Sequence, residues 1–94
     1  MRYWSSGALD TRARTGSFKG LNHEHVYTQK DLIRRMIAEP DRVAEIMATA
    51  VACIVTVDEH RRLGDAERAN RELRGWDRYA AAGIEVHDLL HEPR

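Results

Sequence analysis

Residues 51–57 read Val-Ala-Cys-Ile-Val-Thr-Val, and a run this apolar and β-branched specifies a strand buried on both faces. A strand of that kind obliges the rest of a short chain to cover it from two sides. Its exit is equally constrained. Thr56 is followed three residues later by Glu59, the spacing of a capping box, in which the threonine oxygen accepts the third backbone N–H and the glutamate accepts the N–H of the cap itself. The strand is therefore expected to hand over at once to a helix running through Leu63, with His60 on its first turn or so.

Upstream, residues 21–27 alternate loosely, with Leu21, His23, His25 and Tyr27 on one face and Asn22, Glu24 and Val26 on the other, as a short strand requires. Thr28 with Asp31 starts a helix whose Leu32, Ile33, Met36 and Ile37 fall on one stripe. Pro40 suits the first turn of a second helix with Val43, Ile46 and Met47 on its apolar face. Downstream, Gly64 and Asp65 are expected to end one helix and cap another, a charged surface helix over 65–73. Trp76, Tyr79 and Ala80 form an apolar stripe that Gly83 closes, and 84–86 is expected as a short edge strand. Residues 1–20, with Gly7, Gly16 and Gly20, are expected to be a loosely structured N-terminal segment holding one short helix from Ser5 or Ser6 to about Arg14.

A chain of 94 residues with 43% hydrophobic and 32% charged residues has the composition of one folded domain, not of a disordered segment. These elements make a single α+β domain dominated by helices, around a small antiparallel sheet of two or three strands. Its core is expected to hold Leu21, Val26, Leu32, Ile33, Met36, Ile37, Val43, Ile46, Val51, Cys53, Val55, Leu63, Trp76, Tyr79 and Ile84. Because so small a sheet is marginal alone, the 28–49 helices are expected to lie across one face. Cys53 is the only cysteine, which excludes an intrachain disulfide and a four-thiolate zinc site, and its setting marks it as core filler. No stretch reaches the roughly 20 apolar residues that span a bilayer, and no basic segment followed by an apolar core opens the chain, so the expectation is a cytoplasmic protein without a membrane partner.

The chemistry-bearing residues gather at the ends of the two strands. If those strands pair antiparallel, His60 comes next to Glu24 and His25. One imidazole and a carboxylate could then hold a divalent ion, Mg, Mn, Ni or Zn, leaving positions for water and a phosphate. The other histidine would be left to take a proton from the attacking water, because an unperturbed imidazole titrates near neutrality.

Glu24-His25-Val26, a connection, and then Ile54-Val55-Thr56-Val57-Asp58-Glu59-His60-Arg61-Arg62-Leu63 resemble the strand and helix signature of the HNH, or ββα-metal, nucleases over about half of the chain. The resemblance implies Glu24 and His60 as metal ligands and His25 as the general base. The connection from 28 to 49 is longer and more helical than that family's loop, and no asparagine stands just before the second strand to orient the base, Asn22 lying on the wrong side of the motif.

Charge is uneven although the net is zero: residues 1–35 carry seven Lys/Arg against three Asp/Glu, and the remainder eight against twelve. Arg12, Arg14, Lys19, Lys30, Arg34 and Arg35 are accordingly the candidates for contacting nucleic-acid phosphates. His87 and His91 would share one face of a helix over 86–92, a spacing that suits a metal, and Trp76 and Tyr79 could stack on bases. Each of these residues also has an ordinary reading, as surface histidine, helix cap, core aromatic or solvated charge. Two functions follow: a metal-dependent nuclease, or a non-catalytic interaction module, such as a phage or mobile-element accessory protein, that presents Trp4, Trp76 or the 28–49 helices to a protein partner.

Overall fold

The computed structural model describes residues 2–90. Its elements run β1 (Tyr3–Ser5), α1 (Ser6–Thr15), β2 (Leu21–His25), α2 (Gln29–Ala38), a 3₁₀ turn (Pro40–Arg42), α3 (Val43–Met47), β3 (Ala52–Thr56), α4 (Val57–Ala69), α5 (Trp76–Ala81) and β4 (Val86–Asp88). The result is a helix-dominated α+β domain, but its sheet is mixed and has four strands in the order β2-β3-β1-β4. β2 and β3 pair antiparallel, β1 joins β3 in parallel, and β4 closes the far edge antiparallel to β1.

β3 is central and buried on both faces, because Cys53, Ile54 and Val55 are all inside. Cys53 and Val55 meet Val26, Leu63, Tyr79 and Ile84 in a cluster under α4 and α5. Ile54 points the other way, to Trp4 and Ala8, in a smaller cluster under α1. Residues 2–20 are thus not loose: Trp4, Ser5 and Ala8 are buried, and β1 supplies the third strand.

Four further expectations are corrected. The 28–49 helices do not lie across the sheet; α2 and α3 pack on each other as a hairpin, leaving Ile33, Ile37, Val43 and Met47 exposed, with Ile37 at 76%. Only Leu32 and Ile46 of that apolar set are buried, since among the described residues no element covers the opposite side of the stripe. Leu21, Met36, Val51 and Trp76, also expected inside, are half-buried. α4 runs unbroken through Gly64, a position where glycine costs about 1 kcal/mol against alanine, too little to end a helix capped at its start. The last strand is Val86–Asp88, so His87 is not on a helix; its Nε2 lies 2.7 Å from Ser6 Oγ, and His91 falls outside the described residues.

Candidate functional site

The capping box at the start of α4 forms as its spacing requires. Thr56 Oγ1 accepts the Glu59 N–H at 3.1 Å, and Glu59 Oε1 accepts the Thr56 N–H at 2.8 Å. This fixes the first turn of α4 against the end of β3, and His60 is the next residue on that turn. In the antiparallel register Glu24 stands opposite Cys53, so its side chain shares the sheet face that α4 and α5 cover. There the Glu24 carboxylate meets His60 Nδ1 in a short contact. Glu24 is mostly covered, its side chain 17% exposed, whereas His60 is 56% exposed.

A third group, absent from the expectations, completes this centre. Arg78 of α5 is only 5% exposed; its Nη2 donates to the backbone oxygens of His25 at 2.9 Å and Val26 at 2.6 Å. Its Nη1 lies 3.9 Å from Glu24 and 3.8 Å from Glu67. The guanidinium thereby closes the end of β2 and offsets the Glu24 charge. Little in the sequence marks it, since Arg78 sits between Trp76 and Tyr79 of an apolar stripe and its partners other than Glu67 lie more than fifty residues away.

His25 is elsewhere. It pairs with Ala52, one residue out of phase with Glu24, and the period of two places it on the opposite face. Its ring meets that of His23 edge to face, 5.7 Å between centroids, and it lines a groove of 490 Å³ with Tyr27, Leu32, Ile33, Met36 and Met47. The thickness of the sheet separates it from the Glu24–His60 pair.

The basic candidates fall into two groups. Arg12 caps α1 through the Gly16 carbonyl and lies 4.2 Å over the Phe18 ring, Arg14 is 3.7 Å from Asp10, and Lys19 stands in the following loop. Lys30, Arg34 and Arg35 are on α2. Arg34 and Arg35, together with Arg74, line a separate cleft of 360 Å³ beside Tyr27 and Asp31.

Cys53 sits in the core beneath this centre. Burial, with Glu59 and Glu24 adding smaller contributions, pushes its thiol up to about 12, so it is inert rather than nucleophilic. Burial also raises the Tyr79 phenol.

As a metal site the centre offers one carboxylate and one imidazole. Among the described residues no set of three or more His, Cys, Asp or Glu converges. Zinc and nickel sites that draw three or four ligands from the protein are poorly matched by such a pair. Its carboxylate suits a magnesium- or manganese-type ion, which takes most of its shell from water and substrate phosphate, and its imidazole suits a softer one. Among the described residues no helix is long and apolar enough to cross a membrane. No protein-family model, curated protein or solved structure matches the chain.

Proposed function

We propose that this protein is a small divalent-ion-dependent nuclease of the ββα kind, with Glu24 and His60 holding the ion. The observation that carries this reading is the contact of the Glu24 carboxylate with His60 across an antiparallel strand pair that feeds a capped helix. The ion, when bound, would stabilise charge developing at the scissile phosphate. The chain's own part is positional: the capping box sets the rotation of α4, α4 sets His60, and Arg78 anchors the end of the strand that carries Glu24. His25, on the far face, stands apart from this centre, so the proton-taking role that the family resemblance implies for it passes to another group or to solvent.

The test is cleavage of plasmid DNA and of RNA with Mg²⁺ or Mn²⁺ and with EDTA. Cleavage that needs the ion and disappears in Glu24→Gln and His60→Ala, with unchanged circular dichroism, supports the reading. His25→Ala is expected to keep most of the activity. Full activity in the Glu24 and His60 variants discards the proposal.

A second reading, a non-catalytic interaction module, is favoured by one observation: Ile33, Ile37, Val43 and Met47 are exposed together on the α2–α3 hairpin. Exposed apolar residues concentrated in one place mark contact surfaces. Calorimetry showing no Mg²⁺ or Mn²⁺ affinity, with a second protein bound stoichiometrically and released by Ile37→Glu, would favour this reading over the nuclease.

A further inference from the structure

Two segments about forty residues apart place arginines around one cleft. Arg34 and Arg35 come from α2, and Arg74 from the loop between α4 and α5; Tyr27 and Asp31 complete the 360 Å³ lining. The approach is built into the backbone. Gly75 has φ +56°, and a Cβ there would stand 2.2 Å from the Tyr27 ring, so only glycine lets this loop close onto Tyr27 and bring Arg74 opposite α2. Arg74 is then held in place, its Nη1 donating to the Leu73 carbonyl at 2.8 Å and its Nε 3.4 Å from Asp31. Arg35 lies 5.7 Å from the Tyr27 ring centroid, and among the described residues no carboxylate is within ion-pair distance of Arg34 or Arg35.

Three fixed positive charges around one carboxylate repel each other in the free protein, and an anion seated between them removes that cost. Guanidinium is the group that matches phosphate, by paired N–H donors in a planar fork. We propose that this cleft binds a phosphate of a nucleic-acid backbone, with Arg34, Arg35 and Arg74 as its contacts. Arg12 and Arg14, on α1, lie outside this cleft. The nature of the ligand rests on the nuclease reading; the existence of an anion site does not.

The experiment is fluorescence anisotropy with a labelled single-stranded oligonucleotide at low salt in EDTA, where cleavage plays no part, with inorganic phosphate and poly-glutamate as competitors. Replacing both Arg34 and Arg35 by alanine is expected to weaken binding about tenfold or more and to lower the slope of log affinity against log salt by about one to two. The double lysine variant should recover part of the affinity, and Arg12→Ala with Arg14→Ala should change it little. Competition by phosphate at high concentration supports the site. Absence of oligonucleotide binding, equal binding by the double alanine variant, or stronger competition from poly-glutamate than from unlabelled oligonucleotide overturns it. Glu24→Gln is expected to bind normally, so loss of cleavage in that variant with binding kept separates failure of the catalytic centre from failure of this cleft.

Discussion

Two glutamates flank the same buried thiol and are held in opposite ways. Glu59 is 7% exposed, and its carboxylate accepts the Ser5 hydroxyl and the Thr56 N–H. Ser5 is itself the N-cap of α1, accepting the Ala8 N–H at 2.9 Å, so one buried carboxylate joins the starts of α1 and α4. Both helices present the positive ends of their dipoles there. Glu24, by contrast, is held by His60 and Arg78, and the larger part of His60 is in solvent. The donors to Glu59 belong to the frame of the fold and cannot leave it. A half-exposed imidazole can turn away from Glu24 and admit another ligand. Glu59 should therefore carry stability, and Glu24 chemistry.

The strongest break of that comparison is Glu59→Ala. It removes the capping box and leaves the Ser5 hydroxyl and the Thr56 N–H without their acceptor, a loss of about 3 kcal/mol. Urea unfolding measures it, and an unchanged midpoint would mean that the junction does not hold the two helices together.

Alkaline pH tests the region between the two carboxylates. The Cys53 thiol is raised by burial from an unfolded value of 9.0 to about 12, and the Tyr79 phenol is raised for the same first cause. A folded value above the unfolded one means that the unfolded chain loses its proton first. Stability is fully present below about pH 9 and declines as pH rises from there towards about 12. Thermal melts at increasing pH should show that decline, and Cys53→Ala should flatten part of it. Disulfide-exchange reagents should label the native thiol slowly.

Gly7→Ala is a finer probe of the same junction. An added Cβ would lie 2.8 Å from Glu59 Oε2, a carboxylate that Ser5 and Thr56 hold in position. Alanine's gain in helix propensity is up to about 1 kcal/mol, and the clash is expected to exceed it, for a net loss of about 1 kcal/mol. A more stable variant would show that Glu59 can move, and so resembles Glu24 more than the contacts imply.

What was readable in the sequence follows the same division between local and distant causes. The strand over Ala52–Thr56, the capping box and the Thr28 cap of α2 rest on neighbours within four residues, and each forms as expected. The proximity of Glu24 and His60 needed only one added condition, antiparallel pairing, which holds. β1 is not legible locally, because three residues, Tyr3–Ser5, carry no period of their own and gain their place from β3 and β4, some fifty and eighty positions away. Trp4 becomes core only because β3 and α1 close on it, where Ile54 meets it on the face away from Cys53. Ser5 and Arg78 take their partners from distant segments. The α2 stripe illustrates the reverse error: Ile33 and Ile37 have the period of a buried face, but period describes a helix and not what covers it. The separation of His25 from Glu24 was already present in the alternation of the strand, where adjacent residues face opposite ways.

The smallest expected effect on stability is the most decisive for function. Glu24→Gln removes a contact with a largely solvated imidazole, and such contacts contribute about 0–1 kcal/mol; buried Arg78 loses a charge 3.9 Å away but keeps Glu67 and the carbonyls of His25 and Val26, and the amide oxygen still accepts a hydrogen bond from His60. His60→Ala removes a side chain that fills no core space. Both variants should unfold within about 1 kcal/mol of the parent. If the centre exists to hold an ion, both should nevertheless lose most divalent-ion affinity, because either change leaves a single protein donor where there were two. Isothermal calorimetry beside urea unfolding reads the two quantities on the same samples. Loss of several kcal/mol with ion affinity intact would reverse the assignment, making Glu24 a second structural carboxylate alongside Glu59. Small changes in both quantities would leave Glu24–His60 as an ordinary side-chain contact with no ion to hold. Only a wide gap between a small stability change and a large affinity change matches a carboxylate kept for chemistry.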